Sequence, residues 1–64
     1  MNTIIKVFES LVKLNNYEVE RFDLQAYDYG NGIAGYAGIM YIKGMKNTLI
    51  IHQNGSFEWS EREA

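Results

Sequence analysis

The chain has 64 residues, no cysteine, a formal net charge of −2, and 47% apolar and 22% charged side chains. This balance is globular rather than disordered, excludes disulfides and thiolate metal sites, and offers no global basic field to nucleic acid or an anionic membrane. No apolar run approaches the roughly 18 residues of a membrane span, and no charged n-region leads into an apolar block, so one cytoplasmic domain over residues 1–64 is expected.

From Thr3 to Asn15 the residues Ile4, Phe8, Leu11 and Val12 recur at helical spacing. Asn2 or Thr3 can cap this amphipathic helix, and Asn15-Asn16 suits a left-handed stop. So short a helix is marginal alone and must dock its stripe on something. Residues 17–27 read as a strand whose alternation breaks, with Tyr17 and Val19 on one parity and Phe22, Leu24 and Ala26 on the other. A bulge near Glu20-Arg21 reconciles them. Asp28-Tyr29-Gly30-Asn31-Gly32 is a turn, residues 33–43 a second strand, and Lys43 to Asn47 another turn.

Strands over 47–53 and 56–61 flank Asn54-Gly55, a strong hairpin signal. A two-residue turn with positive φ at both positions would set His52 opposite Phe57, Ile51 opposite Glu58, Ile50 opposite Trp59 and Leu49 opposite Ser60. Ile50, His52, Phe57 and Trp59 then form the core face under the helix, and Leu49 and Ile51 turn to the other side. Residues 61–64 are expected to fray. The architecture is α+β, one helix packed on a four-stranded antiparallel meander in the order α-β-β-β-β.

Gly30-Asn31-Gly32-Ile33-Ala34-Gly35 matches G-x-G-x-x-G, but a strand rather than a helix follows, so a glycine-rich hairpin turn is preferred over a dinucleotide site. A kinase-type glycine loop needs far more chain than this. His52 is the single histidine. Ser56 and Ser60 alternate to the face opposite it, so it is read as a partly buried structural residue rather than an acid or base. Its replacement by Gln should be mildly destabilising. The carboxylates Glu18, Glu20 and Asp23, or Glu58, Glu61 and Glu63, lack calcium-loop spacing and a histidine companion. No metal, cofactor or catalytic residue is assigned, and the chain reads as a non-enzyme.

The five tyrosines, Tyr17, Tyr27, Tyr29, Tyr36 and Tyr41, are the conspicuous excess. Tyrosine suits protein interfaces because it offers a large contact area with a polar tip. The expected function is a small interaction protein that binds another protein, a homodimer being one form of this, with candidate interface residues Tyr27, Tyr29, Tyr36, Tyr41, Leu49, Ile51 and Glu58. By association alone, chains of this size fit a regulator or inhibitor of the kind encoded by phages or mobile elements. The alternative is a single-stranded nucleic-acid module stacking bases on Tyr36 and Tyr41 beside Lys43 and Lys46. It ranks lower because basic residues are few.

Overall fold

A computed structural model describes residues 2–61; of residues 61–64, expected to fray, Glu61 is the last residue of a strand and the other three lie outside the described residues. One helix, α1 (Asn2–Asn15), precedes β1 (Val19–Asp28), β2 (Ala34–Ile42), β3 (Asn47–His52) and β4 (Phe57–Glu61). The strands form one antiparallel sheet in the order β1-β2-β3-β4, the expected α-β-β-β-β meander. None of the helices is long and apolar enough to cross a membrane, among the described residues.

The helix begins one residue earlier than expected, so Thr3 lies within its first turn. It ends at Asn16, whose φ of 56° is left-handed. The Tyr17 N–H then donates to the Val12 carbonyl at 3.2 Å, a backward bond that satisfies one orphan carbonyl of the last turn. The bulge falls where the alternation broke, between Val19 and Arg21, with Glu20 as the extra residue of β1. This extra residue returns Phe22 to the same side as Val19.

The helix lies over β2 and β3. Ile4 and Ile51 are 0% exposed and Leu49 is 1% exposed, and they pack with Met40 and Ile42. Val7, Phe8, Leu11, Val12, Tyr17, Val19 and Phe22 close around that core, with Phe8 and Phe22 stacked at 4.1 Å between ring centroids. Gly38 lets the helix come this near: a Cβ there would sit 2.7 Å from both Ile4 and Phe22 side-chain atoms.

The last hairpin differs from expectation by one residue. His52 N–H donates to the Ser56 carbonyl at 2.8 Å, and Gly55 N–H donates to the His52 carbonyl at 3.0 Å, so the loop is the three residues Gln53, Asn54 and Gly55. Only Gly55, with φ of 93°, has crossed to positive φ; Asn54 has not. That is a type I turn followed by a glycine bulge. Asn54 is held there by its own side chain, whose Oδ1 accepts from the Ser56 N–H at 3.0 Å and the Ser56 hydroxyl at 2.6 Å. The register becomes Ile51↔Phe57, Ile50↔Glu58, Leu49↔Trp59 and Thr48↔Ser60. A one-residue slip exchanges faces. Leu49 and Ile51 therefore join Phe57 and Trp59 on the helix side, while Ile50 and His52 share the open side with Glu58.

Candidate functional site

The β1–β2 hairpin is longer than its neighbour. β2 meets β3 only from Ala37 to Tyr41, so residues 34–36 overhang the turn of the last hairpin. Gln53 fills the missing strand position, its Oε1 accepting from the Tyr36 N–H at 3.2 Å. At the tip of the overhang, Gly30, Asn31 and Gly32 take φ of 90°, 51° and 76°, and the Asp28 carboxylate accepts from the Gly30 N–H at 2.8 Å. The G-x-G-x-x-G match is thus a turn, and its third glycine has a separate task. A Cβ at Gly35 would lie 2.6 Å from Gln53 Oε1 and 2.8 Å from the Tyr29 ring. Only a glycine lets Tyr29 fold back across the sheet at this point.

Once folded back, Tyr29 meets Tyr27 and His52 on the open face. Ring centroids are 4.9 Å apart for Tyr27 and Tyr29, 5.3 Å for Tyr27 and His52, and 5.4 Å for Tyr29 and His52. The rings meet tilted or edge-on, the arrangement their quadrupoles favour. Beside them a cleft of about 400 Å³ is lined by Tyr27, Asp28, Tyr29, His52, Asn54 and Ser56. It lies between the two hairpin turns that share this end of the sheet.

The hydrogen bonding fixes the imidazole. The Tyr29 hydroxyl lies 2.7 Å from the Tyr36 carbonyl, an acceptor only, and 3.1 Å from His52 Nδ1. Its single proton goes to the carbonyl, so Nδ1–H must be the donor to Tyr29. Nε2 faces the Glu58 carboxylate at 3.4 Å and pairs with it when the ring is protonated. With one nitrogen committed to Tyr29, the other facing a carboxylate, and the Ser56 hydroxyl bonded to Asn54, His52 is not placed to activate a nucleophile.

Of the expected interface residues, Tyr27, Tyr29 and Glu58 come together around His52. Leu49 and Ile51 do not: they are buried beneath the helix, because the three-residue loop reverses their face. Ser56, expected opposite His52, instead lines the same cleft. Tyr36 projects to the helix side, exposed beyond the helix, and reaches the cluster only through its backbone carbonyl. Tyr41 lies toward the other end of the open face. Arg21 covers its ring at 4.3 Å from the centroid and pairs with Asp23 at 2.8 Å. A side-chain hydrogen bond with Tyr41, and then the charge of Asp23, raise the guanidinium pKa above its ordinary value.

Tyr36 and Tyr41 belong to opposite faces of β2 and so build no common stacking platform. Lys43 follows the end of β2 farthest from Tyr36 and sits 3.8 Å from Glu18, and Lys46 belongs to the same distant turn. Of the residues nominated for single-stranded nucleic acid, Tyr41, Lys43 and Lys46 lie toward one end of the sheet and Tyr36 toward the other, on the opposite face. Among the described residues no group of three histidines or carboxylates is arranged to hold a metal ion.

What sequence reasoning missed is His52 as a member of the site, together with Asp28, Asn54 and Ser56. The signal was present in Gln53-Asn54-Gly55, which fits a three-residue loop as well as a two-residue one. No protein-family model, curated protein or solved structure matches the chain.

Proposed function

We propose that this chain is a non-enzymatic protein-binding module whose contact surface is the tyrosine–histidine cleft and the adjoining open face of the sheet. The observation that carries the reading is the convergence of Tyr27 and Tyr29 from the first hairpin with His52 from the last, beside a cleft walled by polar groups. Aromatic rings with polar tips, ordered by hydrogen bonds before a partner arrives, lose little entropy on binding. Ile39 and Ile50, half-buried neighbours across β2 and β3, extend an apolar strip from the cleft along a face that no helix covers. Binding through this face, the chain would act as a regulator or inhibitor does, by covering a surface of its target rather than by chemistry.

The test is affinity capture from the source cells with quantitative mass spectrometry, comparing the native chain with Tyr27→Ser and, as a control at the far end of the sheet, Lys46→Ser. A protein retained by the native chain and the Lys46 variant but lost from the Tyr27 variant, with all three folded by circular dichroism, is the expected result. Identical retention by all three would remove the cleft from the interface.

A further inference from the structure

The two edges of the sheet are unlike. β1 is blunted in the manner that discourages strand pairing: a bulge at Glu20 interrupts it, and the Arg21–Asp23 ion pair and the charges of Glu18 and Glu20 crowd its first half. β4 carries Glu58 and Glu61 but has no bulge, proline or lysine, and its register with β3 runs unbroken from Asn47↔Glu61 to Ile51↔Phe57. Its helix-side aromatic residues are also left half open, Phe57 being 49% and Trp59 43% exposed. The helix lies over β2 and β3 rather than β4, and Tyr17 meets Trp59 edge-on at 6.4 Å between centroids.

The hydrogen-bond alternation says which backbone groups this edge presents. His52 and Ser56 are a hydrogen-bonded pair. Stepping by two along the ladder makes Ile50↔Glu58 and Thr48↔Ser60 hydrogen-bonded pairs as well. Phe57, Trp59 and Glu61 lie at the intervening positions, so their N–H and C=O groups point away from β3. Backbone polarity and exposed aromatic surface thus fall on the same residues.

We propose that this edge pairs with the β4 of a second copy, antiparallel and centred on Trp59, to give a continuous eight-stranded sheet. The register is self-complementary. Trp59 faces the partner's Trp59, Phe57 faces the partner's Glu61, and Glu58 faces the partner's Ser60, so no like charges stand opposite one another. A two-fold axis normal to the sheet places both helices on one side, separated by two β4 strands. The trough between them holds the Phe57 and Trp59 rings of both copies, which cover the apolar area each leaves bare alone. A chain with neither disulfide nor metal gains stability from such closure. The seam shares Glu58 with the surroundings of His52 but runs along the opposite edge from Tyr27, so loss of either surface can be read separately.

Sedimentation velocity across a wide concentration range tests the proposal with the native chain, Ser60→Glu and Ser60→Lys. The Ser60 side chain is on the open face, and the contact that the Thr48 hydroxyl makes there is to the Ser60 backbone carbonyl, so both substitutions leave that bond available. A native dimer is expected, weakened about tenfold in Ser60→Glu by two cross-seam like-charge pairs and tightened in Ser60→Lys by two opposite-charge pairs. Amide exchange of Phe57, Trp59 and Glu61 should slow as concentration rises. A native chain that stays monomeric throughout, equal dimer affinities in all three proteins, or exchange at these amides indifferent to dimer formation would each overturn the seam.

Discussion

His52 Nδ1 and the Tyr29 hydroxyl, separated by 23 positions in the chain, lie 3.1 Å apart and lock the tip of one hairpin onto the end of the next. Because the phenol passes its own proton to the Tyr36 carbonyl, the bond depends on the imidazole carrying hydrogen at Nδ1 in either charge state. Tyr29 is the middle link of a three-member chain.

Tyr29→Phe keeps the ring and removes both hydrogen bonds. A loss of about 0.5–1.5 kcal/mol is expected, since the Tyr36 carbonyl can turn to water while the half-buried Nδ1–H loses its partner. Urea unfolding measures it. A stability unchanged from the native chain would mean that the clasp contributes nothing beyond ring packing.

Two glycines separate steric from conformational cost. Gly38→Ala drives a methyl to within 2.7 Å of Ile4 and Phe22, and overpacking of this kind costs about 1–3 kcal/mol. Gly55→Ala meets nothing nearer than 3.5 Å, the Thr3 methyl, so its cost is that of holding a non-glycine residue at φ of 93°, about 1–2 kcal/mol. In thermal unfolding both variants should melt lower. Truncating Phe22 to Leu should partly rescue the first and leave the second unchanged.

The adjacent isoleucines of β3 test the register directly. Ile51→Ala removes a fully buried side chain and should cost about 2–5 kcal/mol, and Ile51→Lys should abolish folding. Ile50→Lys places its charge on the open face beside Glu58 and should leave the circular dichroism spectrum intact. Equal damage from the two lysine variants would mean that the open face is covered in the folded protein.

The helix, the bulge at Glu20 and the order of four strands were legible because each has a local signature: a 3.6-residue stripe, a broken alternation, and turn-forming residues between apolar runs. The face of β3 was not. Leu49, Ile50 and Ile51 are all apolar, so alternation within β3 cannot say which side is inward. The decision passed to the turn, where Asn54-Gly55 permits loops of two or three residues, and the side chain of Asn54 settles it by bonding to Ser56. The cleft was illegible for a related reason. Tyr27, Tyr29 and His52 meet only because residues 34–36 overhang the neighbouring turn, a consequence of unequal hairpin lengths that no motif encodes. Gly35 carries the trace of it, since its place in the turn motif concealed a close approach by Tyr29.

The docking of α1 on β2 and β3 has a consequence for the chain as it is made. Each strand pairs with the one synthesised just before it, so the sheet closes short loops and its contacts are local. The helix is different: Ile4 is joined before any residue of the sheet, yet its cover, from Gly38 to Ile51, comes only with β2 and β3. Until then its stripe of Ile4, Phe8, Leu11 and Val12 has no sheet to rest on, and so short a helix is marginal by itself. During synthesis this stripe is therefore made well before its cover, and burial of the core waits for β3.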